Sequence, residues 1–425
     1  MLKKLDIIGG FITTGQPNEN KLVVAGATTL SSVNGVSSYP LAVIDLNNSQ
    51  PILNFNPILN GRIYKIINVG SKVLICGQFS SVTYGGITYN DLGGIILFNP
   101  VTLEFTKAGG YDVVTPSPGQ MPALIKDAVF YSGQNRVYIC GYFIYSPTGE
   151  AIEITGIASF SFDGSNLTFI NLSLPDWTNP PMSRTYIPVL SLAIDDTNGI
   201  LYSTLSSSLV NSVDSGYGAT FDVSDSDPNI FIRRPWHLGL VNGAAEYIFY
   251  PGDGFIYVSY NYSQLPRPFW ASSNTGQYLS ALTTCSNGNC LPTASTSMNL
   301  DLGGLIVWPR VTSLHVSGDN VFIGGYFRNL AVDDVAFTGG LISGFACYNK
   351  TLNKITSGPL NLINPLSFGS YYTTMGTIGT IVEHDNKIHA FGSFQWVDYN
   401  KNEGQIIFNK NNGTRQALLT LPLNV

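Results

Sequence analysis

Three observations predict an all-β chain built from repeated four-stranded units. A turn residue, a short apolar run of β-forming residues and a small-residue anchor recur seven times along the 425 residues. Gly, Asn, Asp and Ser punctuate the runs every few residues, and no long stretch shows the 3.6-residue apolar period of a helix. The anchors fall at positions 26, 77, 141, 204, 259, 325 and 392. Units this small cannot bury their own faces and must stack on neighbours or close into a ring. The reading is therefore a seven-bladed β-propeller of four-stranded antiparallel blades, one domain over residues 1–425.

Five anchor runs are close copies: Lys21-Leu22-Val23-Val24-Ala25-Gly26, Lys72-Val73-Leu74-Ile75-Cys76-Gly77, Arg136-Val137-Tyr138-Ile139-Cys140-Gly141, Asn320-Val321-Phe322-Ile323-Gly324-Gly325 and Lys387-Ile388-His389-Ala390-Phe391-Gly392. The fourth and fifth, Ile200-Leu201-Tyr202-Ser203-Thr204 and Phe255-Ile256-Tyr257-Val258-Ser259, keep the run and lose the glycine. Each is preceded by another apolar run, as in Ile63 to Val69, Ala128 to Tyr131 and Val311 to Val316, across a turn such as Gly70-Ser71 or Ser317-Gly318-Asp319-Asn320. Gly, Asn and Asp suit such turns because they tolerate positive φ or bond their own backbone. Downstream come a third run, an Asn or Asp with Gly or Pro, and a fourth: Gly94-Ile95-Ile96-Leu97-Phe98 before Asn99-Pro100 is one instance, Gly156-Ile157-Ala158-Ser159-Phe160 before Asp163-Gly164 another.

Four repeats end in Gly-x-Phe: Gly77-Gln78-Phe79, Gly141-Tyr142-Phe143, Gly325-Tyr326-Phe327 and Gly392-Ser393-Phe394. With the Gly-led strand that follows, they resemble the blades of kelch and delta-repeat propellers. Gly26-Ala27-Thr28 and the two central repeats depart from that pattern. The resemblance implies a fold and no activity, since propellers host enzymes, receptors and scaffolds alike. Glycine in a strand is otherwise costly, so the anchor glycines are expected where the strand bends or sheets pack, with the following Phe buried between blades.

Composition narrows the function classes. Only 11% of residues are charged against 44% hydrophobic, so the polar surface is made of hydroxyls and amides rather than ions. A net charge of −6 and the lack of any Lys/Arg cluster beyond Arg233-Arg234 argue against a phosphate-tracking nucleic-acid surface. No run reaches the length of a membrane span, and the apolar part of Met1-Leu2-Lys3-Lys4-Leu5-Asp6-Ile7-Ile8 is too short for a signal peptide. A chain of outdoor composition without a secretion signal points to a virion or an extracellular surface.

In a propeller the connections between strands one and two leave by one face and those between two and three by the other. The second set is long and dissimilar: Thr28 to Tyr39, Ser80 to Leu92, Ser206 to Gly218 and Gln395 to Glu403 belong to it. Residues 261–310 read as an insertion or extended loop in or after the fifth blade. The long-loop face offers Tyr84, Tyr89, Tyr145, Trp177, Tyr186, Trp270, Trp396 and Tyr399 as candidate binding residues, because exposed aromatics suit protein interfaces and stack on sugars. The bland alternative is that each anchors its own loop.

Dedicated chemistry is scarce. Asp222, Asp225 and Asp227 have the spacing of a calcium loop without its Gly and distant Glu, and a turn between strands is the better account of them. Cys76, Cys140 and Cys347 read as small core residues; Cys285 and Cys290 bracket a Ser/Asn/Gly turn, where a local disulfide and two free thiols both fit. The four histidines have no metal-ligand spacing. The carboxylates Glu150, Glu153, Asp176, Asp333, Asp334 and Asp398 would serve a glycosidase only if folding paired two of them across a cleft. The expectation is a non-enzymatic structural or attachment protein without cofactor, binding other subunits of an assembly, a host receptor or a glycan. Carbohydrate-active and adhesion proteins are the alternatives.

Overall fold

The computed structural model describes residues 7–8, 12–18, 20–26, 32–33, 36–37, 41–45, 50–113, 123–148, 156–170, 189–205, 209–210, 213–214, 218–227, 232–234, 245–262, 276–283, 298–301, 310–327, 331–332, 335–336, 344–352, 354–356, 362–363, 377–384, 386–393, 396–397, 400–401 and 405–415. These form many small antiparallel sheets, and the one helical segment among them is the 3₁₀ turn Ser132–Gln134. The described residues contain no helix long and apolar enough to cross a membrane.

Seven sheets share one plan, with strands hydrogen-bonded in chain order. Sheet 1 is Ile12–Asn18, Lys21–Gly26, Leu41–Asp45 and Gln50–Pro51. Sheet 2 is Arg62–Val69, Lys72–Gln78, Ile95–Asn99 and Glu104–Thr106. Sheet 3 is Leu124–Tyr131, Arg136–Tyr142, Ile157–Phe162 and Leu167–Ile170. Sheet 4 is Val189–Asp195, Ile200–Leu205, Gly218–Asp222 and Ile232–Arg234. Sheet 5 is Ala245–Phe249, Phe255–Tyr262, Gly276–Thr283 and Met298–Asp301. Sheet 6 is Arg310–Ser317, Asn320–Tyr326, Phe345–Asn349 and Lys354–Ile355. Sheet 7 is Thr377–His384, Lys387–Ser393 and Gln405–Asn409, with a bridge from Phe408 to Arg415 where the others have a fourth strand. Each first strand packs against the first strand of the next sheet, and Ile12–Asn18 packs against both Arg62–Val69 and Thr377–His384.

Every one of the seven first strands carries a bulge at the same place. The extra residues are Thr13, Tyr64, Lys126, Leu190, Glu246, Thr312 and Gly379, and just before each of them the ladder partners Gly26, Gly77, Gly141, Leu205, Tyr260, Gly325 and Gly392. A bulge bends the strand and brings the opposite backbone close. A Cβ on Gly77 would lie 2.0 Å from the Arg62 carbonyl oxygen, and one on Gly141 would lie 2.1 Å from that of Leu124. The anchor glycine is therefore a steric answer to the bulge. In the central repeats the equivalent positions are Leu205 and Tyr260, one residue beyond the Thr204 and Ser259 expected from the sequence.

Described parts of several long connections are short strands. They fold into a second tier of short strands beside the main sheets. Ser32–Val33 and Val36–Ser37 form a hairpin that pairs with Ile7–Ile8; Val82–Tyr84 and Ile87–Tyr89 form one that pairs with Ile58–Leu59; Trp396–Val397 and Asn400–Lys401 form one that pairs with Leu362–Ile363. Tyr145–Pro147 pairs with Tyr111–Val113, and Leu209–Val210 with Val213–Asp214. Where the entry strand is described, the connection pairs with the segment that enters the first strand of its own repeat. The expected excursion at 261–310 differs in kind: it holds Gly276–Thr283 and Met298–Asp301, the outer half of sheet 5. Met298–Asp301 also pairs with Ala331–Val332 of the next repeat's hairpin, so one strand serves two repeats.

The core lies between sheets. Phe79, Phe143 and Phe327, two residues past their anchors, are all buried, Phe79 against the core of sheets 1 and 2, Phe143 against sheets 2 and 3, Phe327 against sheets 5 and 6. Phe394 lies outside the described residues.

Candidate functional site

Polar side chains join the sheets in two layers. The first layer starts at the residue after each bulge, which is Lys65 in sheet 2, Asp127 in sheet 3, Ser191 in sheet 4 and Ser313 in sheet 6. Asp127 accepts from Ser191 Oγ at 2.6 Å and from the Leu192 N–H at 3.1 Å; Ser191 Oγ accepts the Ile248 N–H at 3.3 Å, and Ser313 Oγ accepts the Ile381 N–H at 2.9 Å. In each case the donor amide belongs to the next sheet, one residue past its own post-bulge position. Lys65 Nζ reaches Asp127 Oδ1 at 2.8 Å.

The second layer is at the short-turn end, where the first residue of a second strand reaches carbonyls in a turn of the following sheet. Lys72 Nζ donates to Ser165 O, Arg136 Nη2 to Ser226 O at 2.7 Å, and Asn320 Nδ2 to Lys410 O and Asn411 O at 3.1 and 2.7 Å. Lys350 Nζ pairs with Asp253 Oδ2 at 2.9 Å between sheets 6 and 5. Glu383 of sheet 7 holds both His315 Nε2 of sheet 6 at 3.0 Å and Lys410 Nζ at 2.9 Å.

The electrostatics of these groups follow from burial and from their partners across sheets. Burial opposes charge on Lys65, but the facing Asp127 outweighs it and the net shift is upward. Burial, then the Asp127 charge, pushes the Cys76 and Cys140 thiols well up, which suppresses the thiolate a nucleophile or metal ligand needs. Cys347 is pushed up to about 11 by burial. The Lys410 contact, opposed by partial burial and helped by His315, holds Glu383 below the usual carboxylate range. Among the described residues no group of three or more His, Cys, Asp or Glu side chains could hold a metal.

The expected binding aromatics separate into four groups. Tyr84 and Tyr89 are half-buried on the hairpin of the second repeat, against Phe55 and Phe105. Tyr145 is fully buried rather than presented to a partner: its hydroxyl donates to Gly93 O at 2.5 Å and its ring packs on Phe143 and Tyr111 with centroids 4.5 Å apart. It needs that depth because it seals the contact of sheets 2 and 3. Trp396 begins a tier strand, whereas Trp177, Tyr186, Trp270 and Tyr399 lie outside the described residues, as do Cys285, Cys290 and the carboxylates Glu150, Glu153, Asp176, Asp333, Asp334 and Asp398.

Asp222 and Asp225 act within their turn. Asp222 Oδ1 accepts the Ser224 N–H at 3.0 Å and the Ser224 hydroxyl at 2.6 Å, and Asp225 Oδ1 accepts the Asp227 N–H at 2.9 Å. The same bond closes the equivalent turns at Asn99, Asp163 and Asn409, and Asn349 Oδ1 accepts one residue further on, from the Leu352 N–H. Sequence reasoning missed the post-bulge layer, because its members share a position in the ladder and no residue type.

No protein-family model matches the chain, and no curated protein matches it. Among solved structures it is similar to the computationally designed Ika8 protein in a crystal structure, with 12% identity and a TM-score of 0.42 over 96% of this chain and 99% of that one.

Proposed function

We propose that this chain is a seven-bladed β-propeller working without catalysis as a rigid attachment module, a structural or host-contacting protein of a virus particle. The ring reading rests on the succession of first-strand packing, which runs from sheet 1 through sheet 7 and back, and on seven bulges in one register. The attachment reading rests chiefly on the second tier. Hairpins add ordered chain beside the main sheets, and the one in the second repeat buries Val82 in the core while holding Ile87 exposed at its turn. Rigid short hairpins carry contact side chains at low entropy cost on binding.

Cross-linking mass spectrometry of the protein in its native assembly tests this. Lys107, whose ammonium donates to Asn90 O beside the hairpin, and Lys401 of a tier strand should cross-link to partner chains. Lys72, Lys350 and Lys410, held in the short-turn layer, should not. Partner links confined to the short-turn lysines, or glycan hydrolysis by the purified chain, would contradict the proposal.

A further inference from the structure

We propose that the junction of sheets 4 and 5 is an internal binding site for ordered water, seated in a notch between Thr204 and Thr220 over Gly218. Two contacts show which face sheet 4 turns to sheet 5: Ser191 Oγ accepts the Ile248 N–H at 3.3 Å, and the Tyr202 ring lies 6.2 Å from that of Tyr250. Thr204 stands opposite Ser191 on one side and Gly218 on the other, and Tyr202 stands opposite Ala193 and Thr220, so these residues share that face. Ser191, Tyr202, Thr204 and Thr220 are at most 1% exposed. Thr204 Oγ1 and Thr220 Oγ1 nevertheless have no hydrogen-bond partner among the described residues. The other face of sheet 4 is apolar, with Leu201, Ala219 and Phe221 packed on sheet 3.

The ladder register shows where the room comes from. Thr204 is one place before the anchor position, and its third-strand partner is Gly218. In the other six sheets that partner is Leu41, Ile95, Ile157, Leu279, Phe345 or Gln405. Ile95 and Ile157 fill the junction of their own sheet with the next one. Sheet 4 has a hydrogen where those sheets have an isoleucine, beside the small Thr204 and Ser191, and one water takes only about 30 Å³. Thr220 lies two residues beyond Gly218 on the same face, diagonal to Thr204. Diagonal neighbours hold their Cβ atoms roughly 7 Å apart, a span that two hydroxyls and one water between them fill. A buried hydroxyl without a partner is costly, and a water shared by two of them removes that cost. Empty cavities in proteins are lined by apolar groups, whereas this notch is lined by hydroxyls.

A crystal structure of the full-length chain at a resolution that shows waters reads the site directly. The expected density peak lies about 2.8 Å from both Thr204 Oγ1 and Thr220 Oγ1. In solution, oxygen-17 relaxation dispersion counts the waters held longer than the chain's tumbling time. Thr204→Val combined with Thr220→Val should remove at least one of them, while Thr204→Ser combined with Thr220→Ser, which keeps both hydroxyls, should retain it. Thr204→Val alone should raise the unfolding equilibrium constant in urea about fivefold, the worth of one hydrogen bond. A hydroxyl buried dry gives the opposite sign, because its removal leaves stability unchanged or improves it. Unchanged dispersion in the double valine variant, a Thr204→Val chain as stable as the parent or more so, or a crystal structure with no peak in the notch would overturn the site. Should the valine variants fail to fold, the parent's crystal structure decides.

Discussion

Lys65 Nζ lies 2.8 Å from Asp127 Oδ1, an ion pair between first strands of different sheets. Asp127 is nearly buried and also accepts from Ser191, whereas Lys65 keeps about a third of its side chain exposed. Breaking a buried pair from the acid side strands the cation and frees the partner donors. Asp127→Ala should destabilise by roughly 2–3 kcal/mol, below the ~3–5 kcal/mol of a fully buried pair because water reaches Lys65. Lys65→Met should cost less, since Asp127 keeps its other donors. Chemical denaturation of both variants measures the difference.

Phe143→Ala should cost about 3–5 kcal/mol, the range for a large buried truncation. Its ring packs 4.5 Å from that of Tyr145. Tyr145→Phe should cost about 1–3 kcal/mol, because it leaves the buried Gly93 carbonyl without its donor. Equilibrium unfolding in urea reads both.

Gly77→Ala and Gly141→Ala should be among the worst single substitutions, since the added Cβ meets a backbone oxygen rather than a movable side chain. Gly85→Ala has nothing within 4 Å and suffers only its φ of +60°, worth about 1 kcal/mol. Melting temperatures should rank Gly85→Ala well above both bulge variants, and equal losses would show that the bulge does not select glycine.

Those glycines mark how far the sequence could be read. A glycine opposite a bulge is visible as an anchor, and the five glycine anchors fall at the same ladder position in the structure. Where Leu205 and Tyr260 hold that position, the small residues Thr204 and Ser259 one place earlier mimic it, and a bulge leaves no mark in apolar alternation. The tier strands escaped because two residues, as in Ser32–Val33, cannot display a period. The turn aspartates were legible as turn residues because an Asx bond is local chemistry. The post-bulge layer was illegible because Lys65, Asp127, Ser191 and Ser313 find their partners in other sheets.

Glu383 links sheets 6 and 7, and its carboxyl is held below the usual range, so it favours the folded state when ionised. That contribution is complete above the unfolded carboxylate range near pH ~4.3 and is lost as pH falls through the lowered folded value. Glu383→Gln should therefore be less stable than the parent at pH 7, by up to about 1 kcal/mol for a partly exposed pair, with the gap closing at acid pH. Denaturation midpoints of both proteins across pH 3–7 check it; a gap that widens toward acid would refute the linkage.

The proposed ring requires the seven sheets to close on themselves; Ile12–Asn18 packs against both Arg62–Val69 and Thr377–His384. A density map of the purified chain that resolves individual strands tests this most directly. The account predicts seven sheets about one axis, related by steps near 51° as any sevenfold repeat requires, with the first strand of each innermost. Six or eight sheets, or an open stack in which Ile12–Asn18 and Thr377–His384 are far apart, would contradict it.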